Sequence, residues 1–424
     1  MNISFYIHIP FCKKKCGYCH FYSRELISYD IIKKNIIVYK FYKKIKEEIF
    51  FYESFLKKYF NSKSIGIDTI YFGGGTPSSI NPIYIKKIIF LIKKNFYLKE
   101  NVEITIEVNP QDINERILKK YKKIGINRVS IGLQSFSIRG LLFLKRDFSK
   151  ILKEKNIDFR ENQITKHLNL NKLKLINDNL YLFYQSKIDL IKKYFKNYSV
   201  DFILGVPGFN LLKIINFIKK NNIPHISIYM FMLTGEEKYF KYYKKNIDKI
   251  DNKSFFQYKQ LQKKLNNLGY VNYEISNFAL KEEYFSKHNL SYWNRSYYIG
   301  LGPTSSGFIE NLRYKNNNLE NYLKVNFNKN IKSLFSLDHF KEKELLNLKD
   351  QINEEIMLGL RTINGVSLNL LKEKYNFDLI EYKKNEIEKL LTEKKIIFDR
   401  ENNKIFINPK FYIISNKIIS DLFV

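Results

Sequence analysis

Six short apolar runs punctuate residues 1–235, and each stops abruptly at Gly, Pro or a polar residue. They are "ISFYIHIPF", "IDTIYFGGGTP", "VEITIEVNP", "RVSIGLQSF", "VDFILGVPG" and "HISIYMFML". Helix-like stretches such as "NPIYIKKIIFLIKKN" and "NERILKKYKKIG" lie between most of them. Strands joined by helices pair in parallel, because a parallel connection needs a long crossover. Runs apolar at successive positions predict strands buried on both faces. The chain therefore reads as α/β, a parallel sheet covered by helices and either open or closed into a barrel.

In both arrangements ligands sit at the carboxyl ends of the strands. Those ends hold the unusual residues. Cysteines follow the first run, Gly73-Gly74-Gly75 ends the second, and Glu107 and Asn109 close the third. Gln134 ends the fourth, and Asp201 with Gly205-Val206-Pro207-Gly208 ends the fifth. One shared pocket accounts for all of them. About seventy residues separate the fourth and fifth runs, more than one crossover helix needs, so a mobile inserted surface segment is expected at about 150–195.

All three cysteines, Cys12, Cys16 and Cys19, fall within "HIPFCKKKCGYCHF". A structural zinc site would need a fourth ligand, and His20 is too close to Cys19 to share one small tetrahedral centre without strain. A redox pair from Cys16 and Cys19 leaves Cys12 unexplained. Three thiolates on an iron–sulfur cubane leave one iron open to a small molecule. Spacing alone leaves these alternatives open. The glycine triplet before Pro77 is either a tight strand-to-helix turn or a place where a ligand presses against bare backbone.

Taken in order, "YIHIPFCKKKCGYC", "GGGTPS", "EVNP", "GLQSF", "GVPG" and "HISIY" resemble the radical S-adenosylmethionine (SAM) family of oxygen-independent coproporphyrinogen III oxidases and their relatives. The resemblance runs from residue 3 to about residue 365. It implies a partial (β/α)6 TIM-like barrel in which Cys12, Cys16 and Cys19 hold a [4Fe–4S] cluster whose free iron binds SAM. It also implies that Tyr6 and Tyr18 flank the cofactor and that Gly74, Gly75 and Thr76 line its methionine end. Glu107, Gln134, Arg146 and Asp201 would contact the rest.

Where the decarboxylating oxidases carry a fourth cysteine this chain has Phe21, which resembles the HemW branch of haem-binding chaperones. "SKHNLSYWNRSYYIGLGP" contains His288, Asn289, Tyr292 and Trp293 in the HNxxYW pattern of that branch. By this likeness His288 ligates haem while Tyr292 and the chain's single tryptophan offer flat faces to the porphyrin. The implied partners are haem, a haem-acceptor protein and an electron donor. The alternative is a coproporphyrinogen III oxidase on the same scaffold. The chain departs from the family at Phe148, Phe209 and Ser306, which bears on SAM cleavage.

At 424 residues the chain predicts two or three domains: the barrel at 1–235, then a C-terminal α+β appendage with an auxiliary haem-motif region at 236–340 and a small helical, winged-helix-like domain at 341–424. In the last, "QINEEIMLGLRT", "SLNLLKEKYN" and "EIEKLLTEK" read as helices and "KIIFDRENNKIFINP" as a hairpin, resembling a winged helix. The formal charge of +31 comes from lysines spread along helix faces, which argues for solvated surface over a dedicated nucleic-acid site. At most it allows peripheral membrane contact. No secretory signal and no bilayer-length apolar run is present in the sequence, so a cytoplasmic protein is expected.

Overall fold

The computed structural model describes residues 2–26, 29–60, 65–148, 170–231, 247–327 and 340–424. The six runs form β1 (Asn2–Ile9), β2 (Gly66–Gly74), β3 (Tyr97–Val108), β4 (Arg128–Gln134), β5 (Asn197–Leu204) and β6 (His225–Met230). They pair in chain order, every pair parallel. Between them lie α1 (Ile31–Tyr59), α2 (Pro82–Asn95), α3 (Glu115–Lys123), α4 (Ile138–Phe143), α5 (Leu170–Tyr194) and α6 (Leu211–Asn221). Side chains cap four of these helices at the start: Asp30, Asn81, Asn114 and Asn210 each accept from an N–H of the first turn. Each cap stops the preceding loop and sets where its crossover begins.

The strands are less uniformly apolar than their sequences. Phe5, Ile7, Ile70, Phe72, Ile104, Ile106, Val129 and Ile131 are buried in the main core. Alternate positions carry Tyr6, Thr69, Tyr71, Glu103, Glu107, Arg128, Ser130, Asp201 and His225. The period of two places that second set on the opposite face of the sheet. There the side chains bond to one another across strands, as Ser130 does to Asp201 and Ser199 to both Ser227 and His225. The six strands form a partial barrel with an apolar outer layer under helices and a polar interior.

The sheet continues on both sides. Further strands are β7 (Val271–Glu274), β8 (Asn277–Ala279), β9 (Tyr298–Leu301), β10 (Ser306–Ile309), β11 (Leu312–Asn316) and β12 (Phe340–Leu345). One twelve-stranded sheet results, in the order β12-β11-β10-β9-β1-β2-β3-β4-β5-β6-β8-β7. The boundary expected at residue 235 is therefore not a break in the sheet. Helices α7 (Ile247–Asn267) and α8 (Lys287–Trp293) also belong to this part of the chain.

The segment expected at 150–195 divides in two. Residues 149–169 lie outside the described residues. Residues 170–194 are α5, which buries Leu173, Ile176, Leu180, Tyr184, Ile188 and Ile191. Those positions recur at the three- and four-residue spacing of a helix face, so this half is a packed crossover and not a loose surface loop.

The last eighty residues have their own core around Ile356, Leu360, Leu371, Ile405 and Ile407. It is built from α9 (Leu348–Gly359), α10 (Leu368–Tyr375), α11 (Lys384–Thr392) and α12 (Ser415–Asp421). A small sheet of β13 (Val366–Ser367), β14 (Ile396–Asp399) and β15 (Lys404–Ile407) completes it. Glu354 on α9 takes ion pairs from Arg295 at 2.8 Å and from Arg313, fastening this unit to the sheet extension. Among the described residues no helix is long and apolar enough to cross a membrane.

Candidate functional site

The loop with the cysteines leaves β1 and is clamped at its base. Phe11–Cys12 pairs with Arg24–Glu25, and the Leu26 N–H donates to the Cys12 carbonyl at 2.8 Å. Between those ends the chain bends so that the Gly17 N–H donates to the Leu144 carbonyl at 3.1 Å. All three cysteines are free thiols, Cys12 buried and Cys16 and Cys19 half-buried. Cys12 Sγ lies 3.4 Å from Thr76 Oγ1, which ties the loop to the glycine turn of β2. Burial pushes the Cys19 thiol up to about 11 and raises Cys16, where the Arg146 charge partly offsets it. Thiols in such a setting ionise when a cation arrives to neutralise them.

Among the described residues no group of three or more His, Cys, Asp or Glu side chains is close enough to hold a single metal ion. The charges of Cys16 and Cys12 both act on Cys19, so the three thiols face a common space, as ligands of one cluster must.

The glycine turn is shaped by its neighbours. Gly74 has φ +108°, and a Cβ there would lie 2.7 Å from the His8 ring. A Cβ at Gly75 would meet the Phe11 carbonyl at 2.8 Å. The N–H groups of Gly75 and Thr76 donate to the carbonyls of Ile9 and Phe11, both at 2.8 Å, and Gly74 donates to Glu107. The turn's donors are engaged, so its chemistry toward a ligand is that of an acceptor, suited to an ammonium group.

Beside it lies a cavity of about 200 Å³ whose lining includes Lys13, Cys16, Thr76, Gln111, Asp112 and Arg146. Arg146 donates to the Gly132 carbonyl at 2.7 Å and to the Tyr18 hydroxyl at 3.3 Å. The Gln134 carbonyl oxygen is buried without a partner, and its backbone sits at φ +68°. An orphaned buried acceptor is costly unless something supplies a donor, as a ribose hydroxyl would. Sequence reasoning passed over Lys13, Gln111 and Asp112 as site residues. Their signal was "EVNPQD": Asn109 caps the Gln111 N–H at 3.1 Å and thereby aims Asp112, which pairs with Lys13 and accepts from Ser78 at 2.8 Å.

Deeper in the barrel, the Tyr71 hydroxyl donates to Glu107 at 2.8 Å. Burial, opposed by that bond and aided by the nearby Asp201 charge, pushes Glu107 up to about 7. Burial also raises Asp201, which accepts from Ser130 and from Ser199 at 3.1 Å. Tyr6 stacks against Tyr71 with ring centres 6.0 Å apart. Of the expected residues, Cys16, Thr76 and Arg146 line the cavity, with Cys12 held to Thr76 and Tyr18 to Arg146, while Tyr6, Glu107 and Asp201 meet around Tyr71.

The HNxxYW segment reaches the same interior, against Tyr71 and Tyr6. α8 inserts His288 into the polar interior, 1% exposed, where Nδ1 bonds Thr69 at 2.6 Å and Nε2 bonds the Tyr292 hydroxyl at 2.7 Å. Its ring stacks on Tyr71 at 4.8 Å, and its backbone N–H donates to Glu103 at 3.1 Å. Burial, with the Arg128 charge, lowers His288 to about 3, so the imidazole is neutral. Both His288 nitrogens are engaged in buried hydrogen bonds, so ligation of haem by His288 would require one of those bonds to break. Tyr292 is committed to the same bond. Trp293 donates to Glu274 and lies under the Arg361 guanidinium at 5.8 Å, linking the sheet extension to the C-terminal unit. Asn289 is half-buried, its N–H held by Ser286 at 3.3 Å. The motif plugs the barrel.

The Radical SAM superfamily model matches residues 6–221, and that of the HemN C-terminal domain matches residues 346–403. The chain is 31% identical over 414 residues to the heme chaperone HemW of Buchnera aphidicola subsp. Schizaphis graminum, covering 96% of each chain. It is 26% identical over 421 residues to the heme chaperone HemW of Lactococcus lactis, covering 98% of this chain and 96% of that one. The solved structure of coproporphyrinogen III oxidase (HemN) from Escherichia coli, described as a radical SAM enzyme, superposes with a TM-score of 0.71 at 16% identity. That match spans all of this chain and 90% of the other, and establishes a common fold.

Proposed function

The chain belongs to the HemW family of the radical SAM superfamily, and from that premise we propose that it is a haem chaperone, binding haem and passing it to an acceptor protein. The observation that carries the reading is end-to-end likeness to heme chaperones combined with an intact three-thiol loop at the mouth of the barrel. The likeness to the oxidase is one of fold and does not favour the decarboxylase reading.

Cys12, Cys16 and Cys19 would hold a [4Fe–4S] cluster. When bound, it supplies an open iron for the amino and carboxylate groups of SAM. The chain's own residues supply the rest. Thr76 orients Cys12, Arg146 places a buried positive charge beside Cys16 and positions Tyr18, and Gln134 presents the unsatisfied acceptor. Glu107 and Asp201 would contact the rest of the cofactor, and neighbouring hydroxyls hold both carboxyl groups in place.

Anaerobic reconstitution, titration with haemin and addition of a haem-free acceptor such as apomyoglobin test the reading. Saturable haem binding followed by transfer supports it. Conversion of coproporphyrinogen to protoporphyrinogen under the same conditions would replace it with the oxidase.

A further inference from the structure

Helices α1 and α2 pack side by side in the outer layer, with the Tyr42 and Tyr84 ring centres 5.6 Å apart. Burial fixes their inward faces: Val38, Phe41, Ile45 and Tyr52 on α1, and Ile85, Ile88 and Ile92 on α2. The helical period puts a second set on the opposite side. On α1 that set is Ile32, Ile36, Tyr39, Lys43, Lys46 and Phe50, and on α2 it is Ile83, Lys86, Phe90 and Lys94. The apolar members are between 39% and 72% exposed, and the lysines are exposed as well. Lys43 and Lys46 stand over the Tyr39 and Phe50 rings at 5.3 and 5.7 Å, keeping charge and ring side by side.

The face has one sign of charge. Residues 31–46 and 82–95 contain no aspartate or glutamate. Further along α1, Glu48 is buried, while Glu47 and Glu53 are paired with Lys44 and Lys57. The next helix of the layer is built otherwise: α3 buries Leu118 and Tyr121 and turns charged residues outward. A solvated helix of this lysine-rich chain therefore has no need of exposed Ile and Phe.

Apolar tips set among cations suit a ligand that offers dense negative charge with an apolar phase directly beneath it. Nucleic acid offers the charge but would leave Ile32, Ile36 and Ile83 in water. An anionic bilayer offers both. The location fits as well. Each helix follows a parallel strand and runs back along it, so α1 and α2 begin at the end where β1 and β2 finish. Ile32 and Ile83 stand in those first turns, at the end of the barrel that carries the thiol loop.

We infer that the outer face of α1 and α2 docks on an anionic phospholipid bilayer, its apolar side chains entering the headgroup layer and its lysines meeting the phosphates. Docking sets the mouth of the barrel beside the bilayer. Haem, with an apolar ring and two carboxylates, dissolves in such a layer, so the face brings the chain to a place where haem is exchanged. That use rests on the haem-chaperone reading, whereas the face itself does not.

The test is co-sedimentation of the anaerobically reconstituted full chain, without haem, with vesicles of phosphatidylcholine alone or mixed with phosphatidylglycerol. The mixed vesicles bind about tenfold or more tightly than the others, and raised salt weakens that binding. Ile36→Ser with Phe90→Ser lowers binding about tenfold or more. Lys86→Gln with Lys94→Gln lowers it about tenfold. Phe256→Ser, at a phenylalanine exposed on α7, binds as wild type. Iron and sulfide content and far-ultraviolet circular dichroism stay unchanged in all three variants. Equal binding to both vesicle types, wild-type binding by either double variant, or the same loss in Phe256→Ser overturns the inference. So does binding of duplex DNA in place of vesicles, weakened by the lysine changes and untouched by the apolar ones. A chain that takes up haem saturably and ignores both vesicle types loses this inference and keeps the reading beneath it. A chain that binds mixed vesicles and no haem keeps the docking face and loses the reading.

Discussion

Replacing His288 by Ala separates a barrel plug from a haem ligand. The change removes an imidazole that is 1% exposed, stacked 4.8 Å from Tyr71, and hydrogen-bonded at 2.6 and 2.7 Å. It strands the Thr69 hydroxyl, which is 1% exposed, and the Tyr292 hydroxyl beside it. A buried hydroxyl left unsatisfied costs about 1–3 kcal/mol. The cavity and lost ring contacts bring the sum to about 3–5 kcal/mol, at the level of a large-to-small core change. In urea, with a slope of about 2–3 kcal/mol per molar, the midpoint falls by about 1–2 M. The assay is circular dichroism of urea-unfolded wild type and variant, paired with haemin titration of the folded variant at low temperature. Destabilisation with haem affinity within about twofold of wild type is expected. Unchanged stability with loss of the Soret signal would refute the plug and restore His288 as ligand.

Further outcomes follow from the same geometry. Glu48 on α1 is fully buried, accepts from Gly302, Asn316 and Tyr322, and is pushed up to about 7 chiefly by burial. Its folded pKa lies above the unfolded one, so its stabilisation is complete below about 4.5 and is lost as pH rises through about 7. Glu48→Gln therefore gains on wild type by about 3 kcal/mol between pH 4.5 and 7.5, read from urea midpoints at each pH. His8 runs the other way: burial lowers it to about 4, so protons taken up by the unfolded chain below pH 6.5 destabilise the fold. His8→Gln should lessen acid sensitivity between pH 6.5 and 4, measured by the same series. Gly74→Ala forces a side chain into φ +108° and to 2.7 Å from the His8 ring, so soluble yield and melting temperature both fall. Cys12→Ser, Cys16→Ser and Cys19→Ser should each abolish iron and sulfide retention without altering far-ultraviolet circular dichroism.

The strand ends were legible because Gly, Pro and Asn punctuate them: "GGGTP", "EVNP" and "GVPG" stand where β2, β3 and β5 stop. The polar interior was not. Thr69, Glu103, Arg128 and His225 each directly precede an isoleucine or valine, and their meaning depends on which face closes into a barrel. The HNxxYW segment is ambiguous for a related reason. Its spacing of four puts His288 and Tyr292 on one helix face, which a ligand pocket and a buried brace both require, and only the partner Thr69, 219 positions away, tells them apart. α5 was hidden by the Asn- and Lys-rich stretch before it, although Leu173, Ile176, Leu180 and Tyr184 carry the helical period. Gln134 was legible as a strand-end pocket residue, but its orphaned side-chain oxygen is visible only once its surroundings are built.

The central claim is that the loop of Cys12, Cys16 and Cys19 carries a cluster with one iron open toward the Arg146 cavity. Mössbauer spectroscopy of the anaerobically reconstituted chain, with and without SAM, measures it directly. About four irons and four sulfides per chain, one iron changing its spectrum when SAM is added, is the predicted result. Bound zinc in place of iron, or a cluster whose irons are all indifferent to SAM, would contradict it.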